Sequence, residues 1–323
     1  MQKKILIVHN KVPENAGPDE QDVLEQAKLV ENACRELDYR VDQVDMDLDL
    51  GKVITRIREI RPDLIFNLVE TLDNQGEFAF VATSVFSSLQ IPFSGSPLVS
   101  ILLASNKVLA KQELRRAGLP TPGWHPVTDT GHLDPAKRYI LKPTWEEGSL
   151  GLDESSVFWG SDTRMTGIAC SKDRDHYFIE EYVEGREYNI SILAGKDGPE
   201  VLPLAEMQFL DYPEGKPKIL GYTSKWKENT FEFTHTRRTF TVRAEDRELH
   251  AALVQLCKKC WHLFNLKGYV RVDFRISTGG DPFIIDINAN PCLSSSGGFA
   301  AACQKAGIGA TEMIRRILED AYR

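Results

Sequence analysis

The stretch YVRVDFRISTGGDPFIIDINANPC, residues 269–292, decides how the second half of the chain folds. Apolar and polar side chains alternate along its first half, which places Arg271 and Asp273 on one face of a predicted strand. A second apolar run follows the pair Gly279-Gly280, which is typical of the tight turn that closes a hairpin. The pattern therefore predicts two antiparallel strands joined at that turn.

This hairpin would bring acidic and amide side chains together. Pairing across the turn puts Asp273 opposite Asp286. The same register puts Arg271 opposite Asn288, on the same face. Two carboxylates directly opposite each other repel, so a cation or a shared proton between them is expected. Their oxygens are hard donors that suit Mg²⁺ or Mn²⁺, and the arginine can stabilise a developing negative charge. On this pattern alone, a solvated sheet face with incidental charges stays the alternative.

The N-terminal third of the chain alternates predicted strands and helices, which is typical of an α/β fold with a parallel sheet. Strands are predicted at 4–8, 41–45, 63–68 and 90–96, and helices at 20–37 and 51–60. Beyond residue 187 the pattern changes, because strand-like segments are separated by polar turns. Among these segments are YNISIL, EVLPLAEM and FEFT.

Two lysines stand where a phosphate-binding site would need positive charge. Lys107 lies in the first turn of a predicted helix that Ser105 caps and Gly118 ends, where a positive charge opposes the helix dipole. Lys142 ends a predicted strand, residues 138–143, just before a polar loop whose glycine N–H groups can hold phosphate. Taken singly, each lysine suits an ordinary surface position equally well.

A strand with a broken alternation, FIEEYVEGRE at residues 178–187, is a candidate hinge for nucleotide binding. Its alternation stops after Ile179, so backbone amide and carbonyl groups there could meet the edge of an adenine ring. Glu187 at its end could accept hydrogen bonds from ribose hydroxyls. A plain edge strand explains these residues equally well when they are taken alone.

Length and charge limit the classes of function. The 323 residues suit two or three domains, and three units are predicted, at 1–104, 105–187 and 188–323. The formal net charge of −8 disfavours nucleic acid or an anionic membrane surface as the main partner. No apolar run approaches the roughly 20 residues of a membrane span. We therefore expect a cytoplasmic protein.

The six cysteines are scattered along the chain, which suits reduced thiols. Cys257 and Cys260 form a C-x-x-C pair, for which a redox or metal-binding interpretation is open. They also fall on the apolar face of a predicted helix with Leu253 and Leu256, and the sequence has no second such pair to complete a zinc site. We favour a core position for both.

Five segments occur in an order that resembles the ATP-grasp superfamily, and within it the D-alanine–D-alanine ligase-like branch. The segments are SNKVLAKQELRRAGLPTP (105–122), YILKPTWEEGSLG (139–151), FIEEYVEGRE (178–187), GYVRVDFRI (268–276) and FIIDINANP (283–291). The resemblance runs from about residue 63 to the C-terminus. It implies an ATP-grasp fold of three α/β units, with ATP held between the central and C-terminal units.

The resemblance also implies roles for individual residues. Those that would contact ATP are Lys107 and Lys142 at the phosphates, Glu180, Tyr182 and Val183 around adenine, and Glu187 at the ribose. Those that would bind Mg²⁺, or Mn²⁺, are Asp273, Asp286 and Asn288. Catalytic roles would fall to Arg271 at the acyl phosphate, to Lys225, which would reach the γ-phosphate from a mobile loop at 208–236, and to Ser149. The carboxylate of the amine substrate would meet Ser294, Ser295, Ser296 and Gly297.

The reaction implied by the resemblance joins a small-molecule carboxylate to an amine. ATP phosphorylates the carboxylate, and the amine then attacks the acyl phosphate. Three departures favour a carboxylate substrate other than D-alanine. Gly148 stands where D-alanine ligases carry a catalytic serine, with Ser149 one place later, Trp226 replaces a tyrosine, and Cys292 replaces a glycine. We interpret Cys292 as a small residue whose N–H supports the oxyanion, rather than as a nucleophile.

Two other interpretations stay open. One is a true D-alanine–D-alanine ligase that tolerates these departures, with Glu14 or Glu20 in place of the N-terminal glutamate of those enzymes. The other is a protein of the same fold that binds ATP without turnover. The retained Arg271 argues against the latter, because a binding protein has no need of an arginine at an acyl phosphate. A homodimer is suggested by the resemblance alone.

Overall fold

The structure is a computed structural model and describes residues 2–145, 151–162 and 174–323. Its first sheet is parallel, with the strand order β2-β1-β3. The strands are β1 (Lys4–Asn10), β2 (Arg40–Met46) and β3 (Leu64–Leu68), and the helices beside them are α1 (Pro18–Glu36), α2 (Leu50–Ile60) and α3 (Ala79–Ser88). Alternate residues of β1 enter two cores: Ile5 and Ile7 pack with α1, whereas Leu6 and Val8 pack with α2 and α3. Helices thus cover both faces, which is why β1 and β3 are almost wholly apolar.

The strand predicted at 90–96 is wrong, because that segment forms a single parallel bridge, between Ile65 and Phe93. Pro92 lacks an N–H donor and Gly95 has a φ of +83°, so the segment cannot extend a regular ladder. The other strands and helices predicted in this third of the chain are confirmed.

Two helices, α4 (Leu98–Ser105) and α5 (Lys107–Arg116), lead into the second unit. Asn106, rather than the predicted Ser105, caps α5, because its Oδ1 accepts the Leu109 N–H at 2.8 Å. Gly118 follows the helix with a φ of +68°, as its predicted role as a stop requires. Lys107 is therefore the first helical residue.

The second and third sheets are antiparallel. The second has the order β4-β7-β5-β6 and consists of β4 (Trp124–Pro126), β5 (Arg138–Pro143), β6 (Val157–Trp159) and β7 (Tyr177–Glu181). The third has the order β11-β10-β8-β12-β13, with β9 paired to β8. Its strands are β8 (Gly185–Gly195), β9 (Gly198–Val201), β10 (Ala205–Phe209), β11 (Thr236–Thr239), β12 (Tyr269–Ser277) and β13 (Pro282–Asn288).

The remaining helices of the described residues accompany the third sheet. They are α6 (Tyr222–Trp226), α7 (Phe231–His235), α8 (Arg247–Leu263), α9 (Gly298–Lys305) and α10 (Ala310–Asp320). The predicted strand FEFT is wrong, since it forms α7. Thr230 Oγ1 accepts the Phe233 N–H and starts a helical turn there.

Helix α8 carries the C-x-x-C pair into the largest core. Cys257 and Cys260 are fully buried in a cluster with Leu253 and Val270, and both thiols are free. The core interpretation of this pair is therefore confirmed.

The predicted domain limits at residues 104 and 187 stay a proposal, and β8 crosses the second of them. Within the described ranges, no helix is both long and apolar enough to span a lipid bilayer.

Candidate active site

The predicted hairpin exists, and its register is the predicted one where the chemistry lies. Asp273 pairs with Asp286, and Arg271 with Asn288. The predicted turn is wrong, because the Ser277 N–H donates to the Asp281 carbonyl and the connection is longer than a glycine pair. A bulge at Ile285 takes up the difference, since Phe274 pairs with Ile284 and Asp273 with Asp286.

The bulge determines what the strand presents. In a regular strand, neighbouring residues face opposite sides of the sheet. Here Ile285 and Asp286 line the same cleft, whereas Ile284 and Ile287 are buried in the core. An apolar surface and a carboxylate therefore lie side by side in the cleft.

The cleft lies between the second and third sheets, beside α6. Ten predicted site residues line it: Lys107, Lys142, Glu180, Tyr182, Val183, Glu187, Lys225, Arg271, Asp273 and Asp286. The sequence prediction missed Arg275, Ile219, Leu220 and Ile285, which line it as well. Ser149 lies outside the described residues.

A buried ion-pair triad fixes the inner wall of the cleft. Glu180 accepts from Lys142 at 2.5 Å and also pairs with Lys111, and both Glu180 and Lys111 are 2% exposed. Burial favours the neutral acid, but Lys111 and Lys142 more than offset this and lower the pKa of Glu180. The Glu180 carboxylate is thus occupied by the two lysines, so only the backbone N–H and C=O groups of this residue are available to a nucleotide base. Sequence reasoning missed Lys111, although it lies one helical turn after Lys107.

Each of the two predicted metal-binding carboxylates forms an ion pair with a basic side chain. The Lys107 ammonium lies 3.1 and 3.2 Å from the two oxygens of Asp286. Arg271 donates from Nε and Nη2 to both oxygens of Asp273, at 2.8 and 2.9 Å. Burial alone would raise the pKa of Asp286, but the positive charge of Lys107 outweighs this effect, and the net pKa is lowered. Asp286 is therefore held ionised.

The donor set fits a hard divalent cation. Two adjacent carboxylates and the amide oxygen of Asn288 are the oxygen ligands that such ions prefer, and phosphate oxygens complete the coordination in nucleotide sites. The Asn290 N–H donates to Asn288 Oδ1 at 2.9 Å and fixes the orientation of that amide. Across the described parts of the chain, no cluster of three or more His, Cys, Asp or Glu side chains forms a complete protein-only site.

Lys225 lies on α6, within the predicted loop 208–236. Burial lowers the pKa of its ammonium to about 8, and the nearby Arg271 adds to this effect. None of the described residues forms an ion pair or hydrogen bond with it. This lysine is placed to meet an anion in the cleft.

The segment before α6 is fastened across the mouth of the cleft. The Lys218 N–H donates to the Tyr182 hydroxyl at 3.0 Å, and the Lys218 carbonyl accepts from Arg275 at 2.8 Å. The segment leads into α6, whose first residue, Tyr222, donates its hydroxyl to Asp19 of α1 at 3.0 Å. The segment thus joins the second sheet, the third sheet and the N-terminal unit.

A cluster of polar groups, named here the acidic recess, lies near enough to Arg271 for that charge to act on Glu70, and its two acids were missed by sequence reasoning. Its members are Asp22 and Gln26 of α1, Glu70 just after β3, and Cys292. The Gln26 amide donates to Asp22 at 3.1 Å and to Glu70 at 3.0 Å, and the Cys292 thiol donates to Asp22 at 2.8 Å. Burial raises the pKa of Glu70 to about 7. The position of Glu70 after a parallel strand was the available signal, because ligands bind at the carboxyl ends of such strands.

The other predicted acids and the serines lie as follows. Glu20 accepts the Gly17 N–H at 2.8 Å and caps α1, so it serves the helix. Ser294 is 2% exposed, and its Oγ lies 3.0 Å from Cys292 Sγ. Gly297 caps the N-terminus of α9. Burial raises the pKa of the Cys292 thiol, which therefore stays protonated.

Comparisons with known proteins agree with this architecture. A family model described as D-ala D-ala ligase C-terminus matches residues 139–319. A D-alanine–D-alanine ligase of Aquifex aeolicus is 25% identical over 302 residues, which cover 91% of this chain and 94% of that protein. An uncharacterized protein of Sinorhizobium fredii is 26% identical over 287 residues, covering 85% and 81%.

Solved structures show the same fold. The D-alanine–D-alanine ligase of Bacillus anthracis matches with a TM-score of 0.76 at 19% identity, covering 99% of this chain and 98% of that chain. A structure of the same ligase in complex with ATP matches with a TM-score of 0.73 at 18% identity, with the same coverage. The predicted ATP-grasp fold is confirmed.

Proposed function

We propose that this chain, which belongs to the D-ala D-ala ligase C-terminus family and is an ATP-dependent carbon–nitrogen ligase, activates an amino acid other than D-alanine. The observation that carries the proposal is Cys292 in the acidic recess beside Arg271, because its thiol bonds to Asp22 and takes the place of the glycine that the resemblance implies for D-alanine ligases. An amino acid could place its carboxylate at Arg271 and its ammonium between Asp22 and Glu70. Those two carboxylates and Cys292 shape the recess in which the substrate side chain would lie.

The nucleotide would occupy the cleft on the other side of Arg271. Lys107, Lys142 and Lys225 would neutralise the triphosphate, the backbone at Glu180–Val183 would meet adenine, and Glu187 would hold the ribose. Asp273, Asp286 and Asn288 would hold the divalent cation, which when bound neutralises charge on the phosphate oxygens. Mg²⁺ is the proposed ion and Mn²⁺ the alternative.

Positioning and charge then account for the chemistry. An oxygen of the substrate carboxylate displaces ADP from the γ-phosphorus and gives an acyl phosphate. The amine attacks the acyl carbon and loses a proton, and inorganic phosphate leaves. Arg271 stabilises the negative charge in both steps. Ser149 would have a catalytic role, and the segment Ser294, Ser295, Ser296 and Gly297 would receive the second substrate through hydroxyl and amide donors.

A screen of ADP release tests the substrate assignment. The protein is incubated with Mg-ATP and pairs drawn from a panel of D- and L-amino acids and small carboxylates. Turnover with an amino acid other than D-alanine is expected. Turnover with D-alanine alone would establish a true D-alanine–D-alanine ligase, and no turnover with any pair would favour a nucleotide-binding protein.

The cellular location and the oligomeric state are also proposals. A cytoplasmic location suits the five described cysteines, all of which are free thiols. A homodimer is suggested by resemblance alone, and light scattering of the purified protein would test it.

A further inference from the structure

Gln26 is a buried amide of α1 to which the mechanism above gives no role. It is 1% exposed, whereas Asp22, Glu70 and Cys292 around it are half-buried. A substrate can therefore reach the acids of the recess but not the amide. Burying an amide is costly unless its polar groups are hydrogen-bonded, so its partners indicate why the fold retains it.

Three partners fix the orientation of this amide. The Leu293 N–H donates to Oε1 at 2.9 Å. Nε2 donates to Asp22 at 3.1 Å and to Glu70 at 3.0 Å. A backbone N–H only donates and an ionised carboxylate only accepts, so exchanging Oε1 and Nε2 would break all three bonds. Both hydrogens of Nε2 are therefore given to the two acids.

The shared nitrogen limits how far apart the two acids can lie. Asp22 and Glu70 carry like charges, which would otherwise separate them. Since each accepts from Nε2, their accepting oxygens are at most about 6 Å apart. An ammonium carries three donors and can bridge two oxygens at such a separation. Gln26 thus holds the pair in an arrangement that one ammonium can bind.

The oxygen of the same amide reaches a different part of the site. Its partner, Leu293, is fully buried and directly precedes Ser294. Under the proposed function, Ser294 begins the segment that receives the second substrate. One buried side chain therefore connects the acids proposed for the first substrate with the segment proposed for the second.

We propose that Gln26 is a positioning residue for both substrates: its Nε2 holds Asp22 and Glu70 for the ammonium of the first, and its Oε1 holds Leu293 and the following segment for the second. This inference rests on the proposed function. Gln26 contacts neither substrate and acts only through these three groups.

The titration of Glu70 is a readout that a merely structural role would not change. Charged and titratable groups that interact with it from neighbouring elements are Asp22, Arg271, Tyr269 and Cys292. Burial raises the pKa of Glu70, and the hydrogen bond from Gln26 offsets part of this rise. Gln26→Met removes only that donor, so the midpoint should move upward by about one pH unit. Carbon NMR of carboxyl-labelled glutamate measures it, with Glu70→Gln identifying the resonance.

Two variants separate the two ends of the amide. Gln26→Glu keeps an acceptor for Leu293 but loses the donors to the acids, whereas Gln26→Met loses both. The KM for the first substrate should rise about tenfold in both variants. The KM for the second should rise about fivefold in Gln26→Met alone. If Gln26→Met does not fold, Gln26→Glu still tests the first substrate and the titration of Glu70.

Gln21→Met is the matched control. Gln21 is an exposed glutamine of the same helix, and its Nε2 donates to the Ala16 carbonyl at 2.9 Å. Both KM values and the midpoint of Glu70 should stay at the wild-type values in this variant. Changes equal to those of the Gln26 variants would show a general disturbance of α1 and would overturn the specific role.

The remaining outcomes are distinct. An unchanged midpoint of Glu70 in a folded Gln26 variant overturns the role of Gln26, as does an unchanged KM for the first substrate. Absence of turnover by the wild-type protein with every pair of substrates would instead overturn the proposed function.

Discussion

The nucleotide cleft and the acidic recess, which form the two ends of the site on either side of Arg271, differ in how their carboxylates are compensated. At the nucleotide end, the carboxylates of Glu180 and Glu187 each contact a lysine or an arginine. In the acidic recess, Asp22 and Glu70 share the amide of Gln26, and neither forms an ion pair with a described residue. The carboxylates of the nucleotide end are thus neutralised by the chain itself, whereas those of the recess keep a negative charge that suits a cationic ligand.

This difference implies opposite responses to removing a carboxylate. Where the acid has a buried cationic partner, its loss leaves that cation uncompensated. Where the acid is buried without one, its loss removes an unfavourable charge.

Glu180→Gln should destabilise the protein most. It leaves Lys111 and Lys142 buried without their shared carboxylate, which costs about 3–5 kcal/mol in the free energy of unfolding. Denaturant titration measures this. Glu181→Gln is the matched control, because the next carboxylate pairs with Lys137 at the surface, where such pairs contribute about 0–1 kcal/mol. Equal losses in the two variants would break the comparison.

Arg271→Met should remove turnover while the protein stays folded. The arginine stands between the two ends and would stabilise the charge of both chemical steps, so kcat should fall by about 10²–10³-fold. ADP release measures kcat, and calorimetry should show that ATP still binds. Arg316→Met supplies the control for loss of a partly buried arginine. A kcat close to the wild-type value would exclude this role.

Glu70→Gln should change stability in the opposite direction to Glu180→Gln. Burial raises the folded pKa of Glu70 to about 7 from an ordinary value of 4.5. Between these values the native state holds a proton that the unfolded chain has lost, so wild-type stability falls as pH rises. The Glu70→Gln variant has no carboxyl group to ionise at this position, so its stability does not fall in this way. At pH 8 it should be more stable than wild type by roughly 1–2 kcal/mol, after a discount for partial exposure.

Thermal unfolding of both proteins at pH 5 and pH 8 measures this difference. A stability difference that does not vary with pH would rule out titration of Glu70 in the folded state. In wild type, the KM for the amino acid should also fall as pH rises through about 7, because the ionised acid binds an ammonium better. The KM of Glu70→Gln should be higher at pH 8 and should not vary in that range.

Cys292→Ser should have the smallest effect. A thiol held protonated by burial and bonded to Asp22 is a poor nucleophile, so kcat should change by less than about tenfold. Alkylation of the intact protein by iodoacetamide, followed at Cys292 by mass spectrometry, should be slower than that of the unfolded chain. Loss of activity comparable to that of Arg271→Met would show that the thiol takes part in the chemistry.

The hairpin of β12 and β13 shows how much of the site can be predicted from a local sequence pattern. Alternation and the opposed acids predicted the pairing of Asp273 with Asp286 correctly, although the turn was misplaced. The agreement depends on the bulge at Ile285, which one strand's pattern does not reveal. Lys107 and Lys142 were also predictable, because each lies at an element's end, where polar groups converge, whereas Lys225 was predicted from the family resemblance alone.

The recess could not be predicted in the same way. Its carboxylates come from α1 and from the end of β3, and Cys292 comes from a segment more than 200 residues later. Nothing in the local sequence links them, and only the tertiary fold brings Asp22 within reach of Cys292. Arg275 was missed for a related reason. It lies on the same strand face as Arg271 and Asp273, but its partners Val183 and Lys218 come from other segments, which the pattern of one strand does not reveal.

The bulge at Ile285 also separates two kinds of change that protein engineers often treat alike. The connection at Thr278–Asp281 is exposed, and extra residues there leave the pairing of β12 with β13 intact. It is therefore a suitable position for an epitope tag or a circular-permutation breakpoint. Deleting Ile285, by contrast, removes one residue without shortening any loop. Ile284, Asp286 and Ile287 then alternate regularly and keep their faces and their partners on β12, so this deletion costs the cleft the apolar surface of Ile285 without shifting the register.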